Sequence, residues 1–125
     1  MRLIRSDQTR EISTPNATMH TFASPELTAT GLSMWRVTMV PGQRGPQHSF
    51  DTEQVWTVID GQMEALSEGS THQLEPGDAV VFGPGELRQI ACAGAQPLSA
   101  IAVCAGGARA STPTDGDRGT PAWIL

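Results

Sequence analysis

Four side chains, His48, Phe50, Gln54 and Arg88, are the ones around which chemistry could be built. The first three stand in GQRGPQHSFDTEQVWTVIDG (residues 42–61), which reads G-x5-H-x-F-x3-Q-x6-G from Gly42 to Gly61. The fourth stands in GDAVVFGPGELRQIAC, which begins at Gly77 and carries Gly83, Gly85, Arg88 and Cys92. An imidazole moves a proton near neutral pH. A guanidinium offers a fork of donors to a carboxylate, enolate or phenolate. A primary amide both donates and accepts, and so can fix a carbonyl or hydroxyl. Phe50 and Trp56 add flat apolar walls suited to a ring. Together these groups suit a ring-containing organic anion. Under the alternative reading, Arg88 and Gln54 satisfy each other or nearby backbone inside a filled protein interior, since buried polar groups need partners with or without a ligand.

The spacing carries a resemblance. The first cupin signature is G-x5-H-x-H-x3-4-E-x6-G, and this chain follows it with Phe50 at the second His and Gln54 at the Glu. The second, G-x5-P-x-G-x2-H-x3-N, is followed from Gly77 with Gly83 at the Pro, Gly85 at the Gly, Arg88 at the His and Cys92 at the Asn. Between them lies the short insert Gln62 to Pro76. From about Ser33 to Cys104 the chain therefore resembles the cupin superfamily, and in particular small single-domain bacterial cupins with the variant H-x-F-D-x-E-Q-x-W.

That resemblance implies an all-β, cupin-type double-stranded β-helix (jelly-roll) barrel with His48, Phe50, Gln54 and Arg88 pointing into one cavity. It also implies that cavity walls come from Trp35, Met39, Trp56 and Val58. A typical cupin holds a divalent metal with three His and one carboxylate. At those positions this chain offers one imidazole, a phenyl ring without a lone pair, a neutral amide and a permanently protonated guanidinium. No metal or other cofactor is expected. The leading expectation is a metal-independent isomerase, cyclase or lyase, with His48 shuttling a proton, Arg88 stabilising negative charge and Gln54 fixing the substrate. Cupins of this size often serve bacterial secondary metabolism, including polyketide tailoring. A non-catalytic binding module is the alternative, followed by a metal-dependent dioxygenase with an unusual ligand set.

The elements that must position these groups read as strands. Trp35, Val37 and Met39 alternate with Arg36 and Thr38 up to Pro41-Gly42; Gln54, Trp56 and Val58 alternate with Val55, Thr57 and Ile59 up to the Asp60-Gly61 turn. Met63 to Leu66 and Thr71 to Leu74 flank a Glu68-Gly69 hairpin turn. Ala79 to Phe82 reads as a short buried strand, and Leu87 to Cys92 and Leu98 to Cys104 as a pair around a turn near Ala95 to Pro97. In such a hairpin Cys92 would face Leu98 or Ser99, too far from Cys104 for a disulfide. Ser13 to Phe22 reads as one weaker strand, pairing at an edge or with a neighbouring subunit. Residues 1–105 would form the barrel domain. The Gly/Ser/Thr/Pro/Asp-rich residues after it read as a loose tail, 106–125, whose apolar end (Pro121 to Leu125) packs on the barrel or a partner.

With 125 residues the chain is one domain with one core. A net charge of −5, with no lysine and no arginine run, argues against nucleic-acid and anionic-membrane partners. No apolar run reaches the roughly 20 residues of a membrane helix. The N-terminal residues MRLIRSDQTR have no apolar signal region, and the expected location is cytoplasmic with both thiols reduced. His20, His72, Asp51 and Glu53 read as edge, turn or solvated residues, and Cys92 as a small core residue. Neither a Ser-His-Asp set, a phosphate loop nor a CxxC pair is present. A homodimer is expected, because the strand carrying Gln54 has apolar residues on both faces, Val55 and Ile59 outward.

Overall fold

The structure, a computed structural model, describes residues 1–125. The alternating segments form β1 (Arg10–Ser13), β2 (Thr18–Ala23), β3 (Leu32–Met39), β4 (Ser49–Phe50), β5 (Gln54–Asp60), β6 (Gln62–Ser67), β7 (Ser70–Leu74), β8 (Ala79–Phe82), β9 (Arg88–Ala93), β10 (Leu98–Ala105), β11 (Ala110–Thr112) and β12 (Gly116–Gly119). One layer is a six-stranded antiparallel sheet in the order β1-β2-β3-β10-β5-β8. Opposite it lie two three-stranded sheets, β7-β6-β9 and β12-β11-β4. Bridges from Arg44 to Ala91 and from His48 to Arg88 join them into one second layer. The result is the all-β jelly-roll barrel expected from the sequence.

Period-two burial holds the layers together. Along β3 the even positions are exposed and Ser33, Trp35, Val37 and Met39 are buried; along β5 Gln54, Trp56 and Val58 are buried. β10 contributes Leu98, Ala100, Ala102 and Cys104 between these two strands. Small alanines on the central strand make room for the large Trp35 and Trp56 beside them. At the β5–β6 turn a side chain on Gly61 would sit 2.3 Å from the Pro97 carbonyl oxygen, and its φ is +76°, so only glycine fits.

Four sequence expectations change. Ser13 to Phe22 is a hairpin rather than a single strand: Thr14 N–H donates to the Ala17 carbonyl (2.8 Å), and β2 pairs with β3 of the same chain. β8 is an edge strand, with only Phe82 buried, because β5 is its sole neighbour. β9 and β10 do not form a hairpin: Cys92 pairs with Met63 on β6, and β10 crosses to the other sheet between β3 and β5. Both cysteines are buried and free. Finally, the loose tail is partly folded. β11 pairs with β4 through Ala110↔Phe50 and Ser111↔Ser49, β12 folds back on it, and Ile124 is fully buried. No helix is long and apolar enough to cross a membrane.

Candidate functional site

His48 reaches the barrel interior because the backbone just before β4 bridges to Arg88 on β9. Its N–H donates to the Arg88 carbonyl (3.0 Å), and the Arg88 N–H donates back to the His48 carbonyl (2.9 Å). The imidazole is half-buried, with its ring edge-on to Phe50 at 5.4 Å between centroids. Nδ1–H donates to the Pro46 carbonyl at 2.9 Å, which leaves the lone pair on Nε2. Burial first, and the nearby Arg88 cation second, lower its pKa to about 4. At neutral pH His48 is an uncharged acceptor.

Arg88 and Gln54 are each 1% exposed. Arg88 Nη2 donates to Gln54 Oε1 at 2.7 Å, and the indole Nε1–H of Trp56 donates to the same oxygen at 3.1 Å. The guanidinium also lies against the rings of Phe50 (4.7 Å) and Phe82 (5.1 Å). Burial lowers its pKa to about 10, so it stays charged at neutral pH. Cys104, opposite Gln54 in the β10–β5 register, has its thiol pushed up to about 11 by burial. Two accepted bonds fix the Gln54 amide, and its Nε2 has no oxygen or nitrogen partner.

A cavity of about 500 Å³ opens beside this cluster, within the usual range for small-molecule sites. Of the expected site residues, His48, Phe50, Gln54, Trp56, Trp35 and Met39 line it. Arg88 and Val58 do not, which corrects two sequence expectations. Arg88 is held behind Gln54 by the two phenyl rings, and the pairing with Gln54 that the alternative reading allowed is the one present. Val58, 1% exposed, packs into the core. All three tryptophans of the chain, Trp35, Trp56 and Trp123, are in the wall. Residues 35–104 match the Cupin domain family. The chain belongs to the cupins.

Solved cupin structures share its fold. The polyketide cyclase RemF from Streptomyces resistomycificus superposes with a TM-score of 0.74 over 98% of this chain and 88% of its own, at 17% identity. A cupin 2 domain-containing protein from Halorhodospira halophila gives 0.71 over 86% and 72%, at 20% identity. A cupin-like protein from Thermotoga maritima gives 0.67 over 74% and 70%, at 22% identity. At these identities the likeness is one of fold. No curated protein sequence matches.

The residues of this cupin do not fit the divalent metal that the resemblance implies. One imidazole lines the cavity where several are needed, Arg88 places a positive charge nearby, and no three His, Cys, Asp or Glu side chains come together to hold an ion. Several lining residues were not foreseen: Thr14 and Asn16 on the β1–β2 turn, Ile90 on β9, and Thr112, Asp115, Arg118 and Trp123 beyond β10. Trp123 belongs to an apolar terminus that sequence placed on the barrel or a partner. Ile90 follows from alternation with Arg88 along β9; the others have no signal in their local pattern.

Proposed function

We propose that this cupin is a metal-independent small-molecule enzyme of isomerase, cyclase or lyase type, acting on a ring-containing anionic or enolisable substrate of the kind found in bacterial secondary metabolism. The observation that carries this reading is the single neutral imidazole in an aromatic wall: His48, with its Nε2 lone pair free, beside Phe50, Trp56 and Trp35. RemF, similar in fold, is a polyketide cyclase, which agrees with a multi-ring substrate.

With its pKa held low by burial, His48 alone is a weak base. Taking a proton from the carbon next to a substrate carbonyl creates an enolate beside an imidazolium. Their attraction in a desolvated site raises the basicity of His48 as the reaction proceeds. The substrate anion thus assists its own deprotonation. Gln54, itself in the wall, holds Trp56 through Oε1, and Arg88 braces the same oxygen from behind. The pKa near 4 also suits a second reading, a cupin that binds the same molecules without turning them over.

Hydrogen–deuterium exchange at the central carbon of benzoylacetone, an aryl β-diketone, followed by NMR, tests the proton transfer. Wild type should accelerate exchange, His48→Gln should lower the acceleration by about 10²-fold, and EDTA should change nothing. Binding without acceleration would favour the second reading. Near-stoichiometric metal, lost together with activity under chelation, would overturn the metal-independent one.

A further inference from the structure

The cation that sequence placed at the ligand, Arg88, is committed inside the wall. Another one is available. Among the residues lining the cavity, Arg118 is the only permanently charged cation, and His48 is neutral at pH 7. Arg118 lies on β12, whose neighbour Asp117 binds the Arg109 guanidinium at 2.7 and 3.2 Å. Arg109 N–H in turn donates to Asp51 Oδ1 at 2.8 Å, which ties the hairpin to the loop after β4. Arg118 is the extra residue of a β-bulge, between Gly119 paired with Ala110 and Asp117 paired with Ser111, and a bulge re-aims the side chain it carries. Asp117 and Arg109 clamp the hairpin while the bulged Arg118 lines the cavity.

Arg118 has one ionic partner, Asp115, at 3.6 Å, and the two side chains are 59% and 58% exposed. So open a pair contributes little and leaves most of the guanidinium donors to water or a ligand. The inner wall is aromatic and thioether-rich, from Trp35, Trp56, Phe50, Met19 and Met39. The cavity is thus apolar inside, with the open Arg118–Asp115 pair at its exposed end.

We infer that Arg118, presented by the β11–β12 hairpin, is the anion-recognising residue of this cavity, which takes a flat multi-ring carboxylate or phenolate with its rings inward and its charge at the mouth. This rests on the reading that the cavity binds ring-containing molecules, and it assigns the orientation and the specificity within that reading.

Calorimetric titration at low salt with 2-naphthoate and with neutral 2-acetonaphthone tests it. Wild type should bind both, the carboxylate more tightly. Arg118→Gln should weaken 2-naphthoate by about tenfold and leave 2-acetonaphthone within about twofold. Arg118→Lys should restore part of the loss, since an ammonium lacks the planar fork. Asp115→Asn should strengthen 2-naphthoate by freeing the guanidinium. Arg36→Gln, on the outer face of β3, serves as the control for net charge and should change neither. If wild type binds both probes and Arg118→Gln leaves their ratio unchanged, the assignment of Arg118 is wrong while the cavity reading stands. If wild type binds neither, the cavity reading fails and this inference with it.

Discussion

A guanidinium buried without a carboxylate in contact is an unusual interior group, and Arg88 shows what offsets its desolvation: the Gln54 amide oxygen, a longer bond to the Glu86 carbonyl at 3.5 Å, and two phenyl rings. Its Nε remains without a hydrogen-bond partner. Replacing such a charge with an apolar side chain of similar length is often neutral or stabilising, whereas truncating it leaves a void. Arg88→Met should therefore match or exceed wild type in chemical denaturation at pH 7, while Arg88→Ala should lose about 2–4 kcal/mol. Equal losses in both variants would show that the charge itself supports the fold. His48 makes a separate prediction about pH. Its folded pKa of about 4 lies below the usual 6.5, so between those values the unfolded chain binds more protons than the folded one. Stability should fall as pH drops from 6.5 to 4, and His48→Gln should remove that part of the slope in pH-dependent melts. An unchanged slope in the variant would mean that carboxylates alone set the acid limit.

At the scale of elements, what the sequence made legible follows the range of the interactions. β3, β5, β6 and β10 could be read from alternation and turn glycines, because each buries one face along its own length; β7 was marked by its turn, since only Leu74 of it is buried. β11 and β12 could not. Their composition is that of a loop, and they become strands because Phe50 and Ser49 offer a pairing edge some 60 residues earlier in the chain. The direction of Arg88 was hidden for a related reason: alternation gives the face of a strand, but Phe50 and Phe82 on two other strands decide where a long side chain ends. The terminal segment is anchored in the same long-range way. Ile124 is fully buried, its carbonyl accepts from Ser33 Oγ, and the Trp123 carbonyl accepts from Thr21 Oγ1 at 2.8 Å. Ile124→Ala should cost about 2–4 kcal/mol in denaturant titrations and should also weaken 2-naphthoate, because Trp123 loses its support. A loss of stability with unchanged binding would separate the segment's packing from its role at the cavity.

The whole molecule leaves one sheet face without a covering layer. Register places Met34, Val103, Val55 and Val81 opposite one another on β3, β10, β5 and β8, all pointing away from the barrel core. Met34 and Val81 are exposed, and so are Leu32 and Ile59 on the same sheet. An apolar row crossing four adjacent strands is larger than the scattered exposed residues of an ordinary surface. A second copy of the chain covers such a face economically, since a two-fold axis lying in the contact plane, parallel to the sheet, brings the row against its own equivalent. Arg36, beside the row, is the only charge on that face of β3, so the centre of the contact would be nearly free of like-charge repulsion. We therefore expect a homodimer formed by packing of the two six-stranded sheets, with a contact near the ~800 Å² per partner of stable interfaces. Val81→Arg is the sharpest probe, because the residue lies on an edge strand and its side chain is solvent-facing in the single chain. In light scattering at micromolar concentration, wild type should run at twice the chain mass and Val81→Arg at the chain mass, with the barrel still folded by circular dichroism. A wild-type protein that is already monomeric there would rule out the dimer and leave the apolar row to another partner.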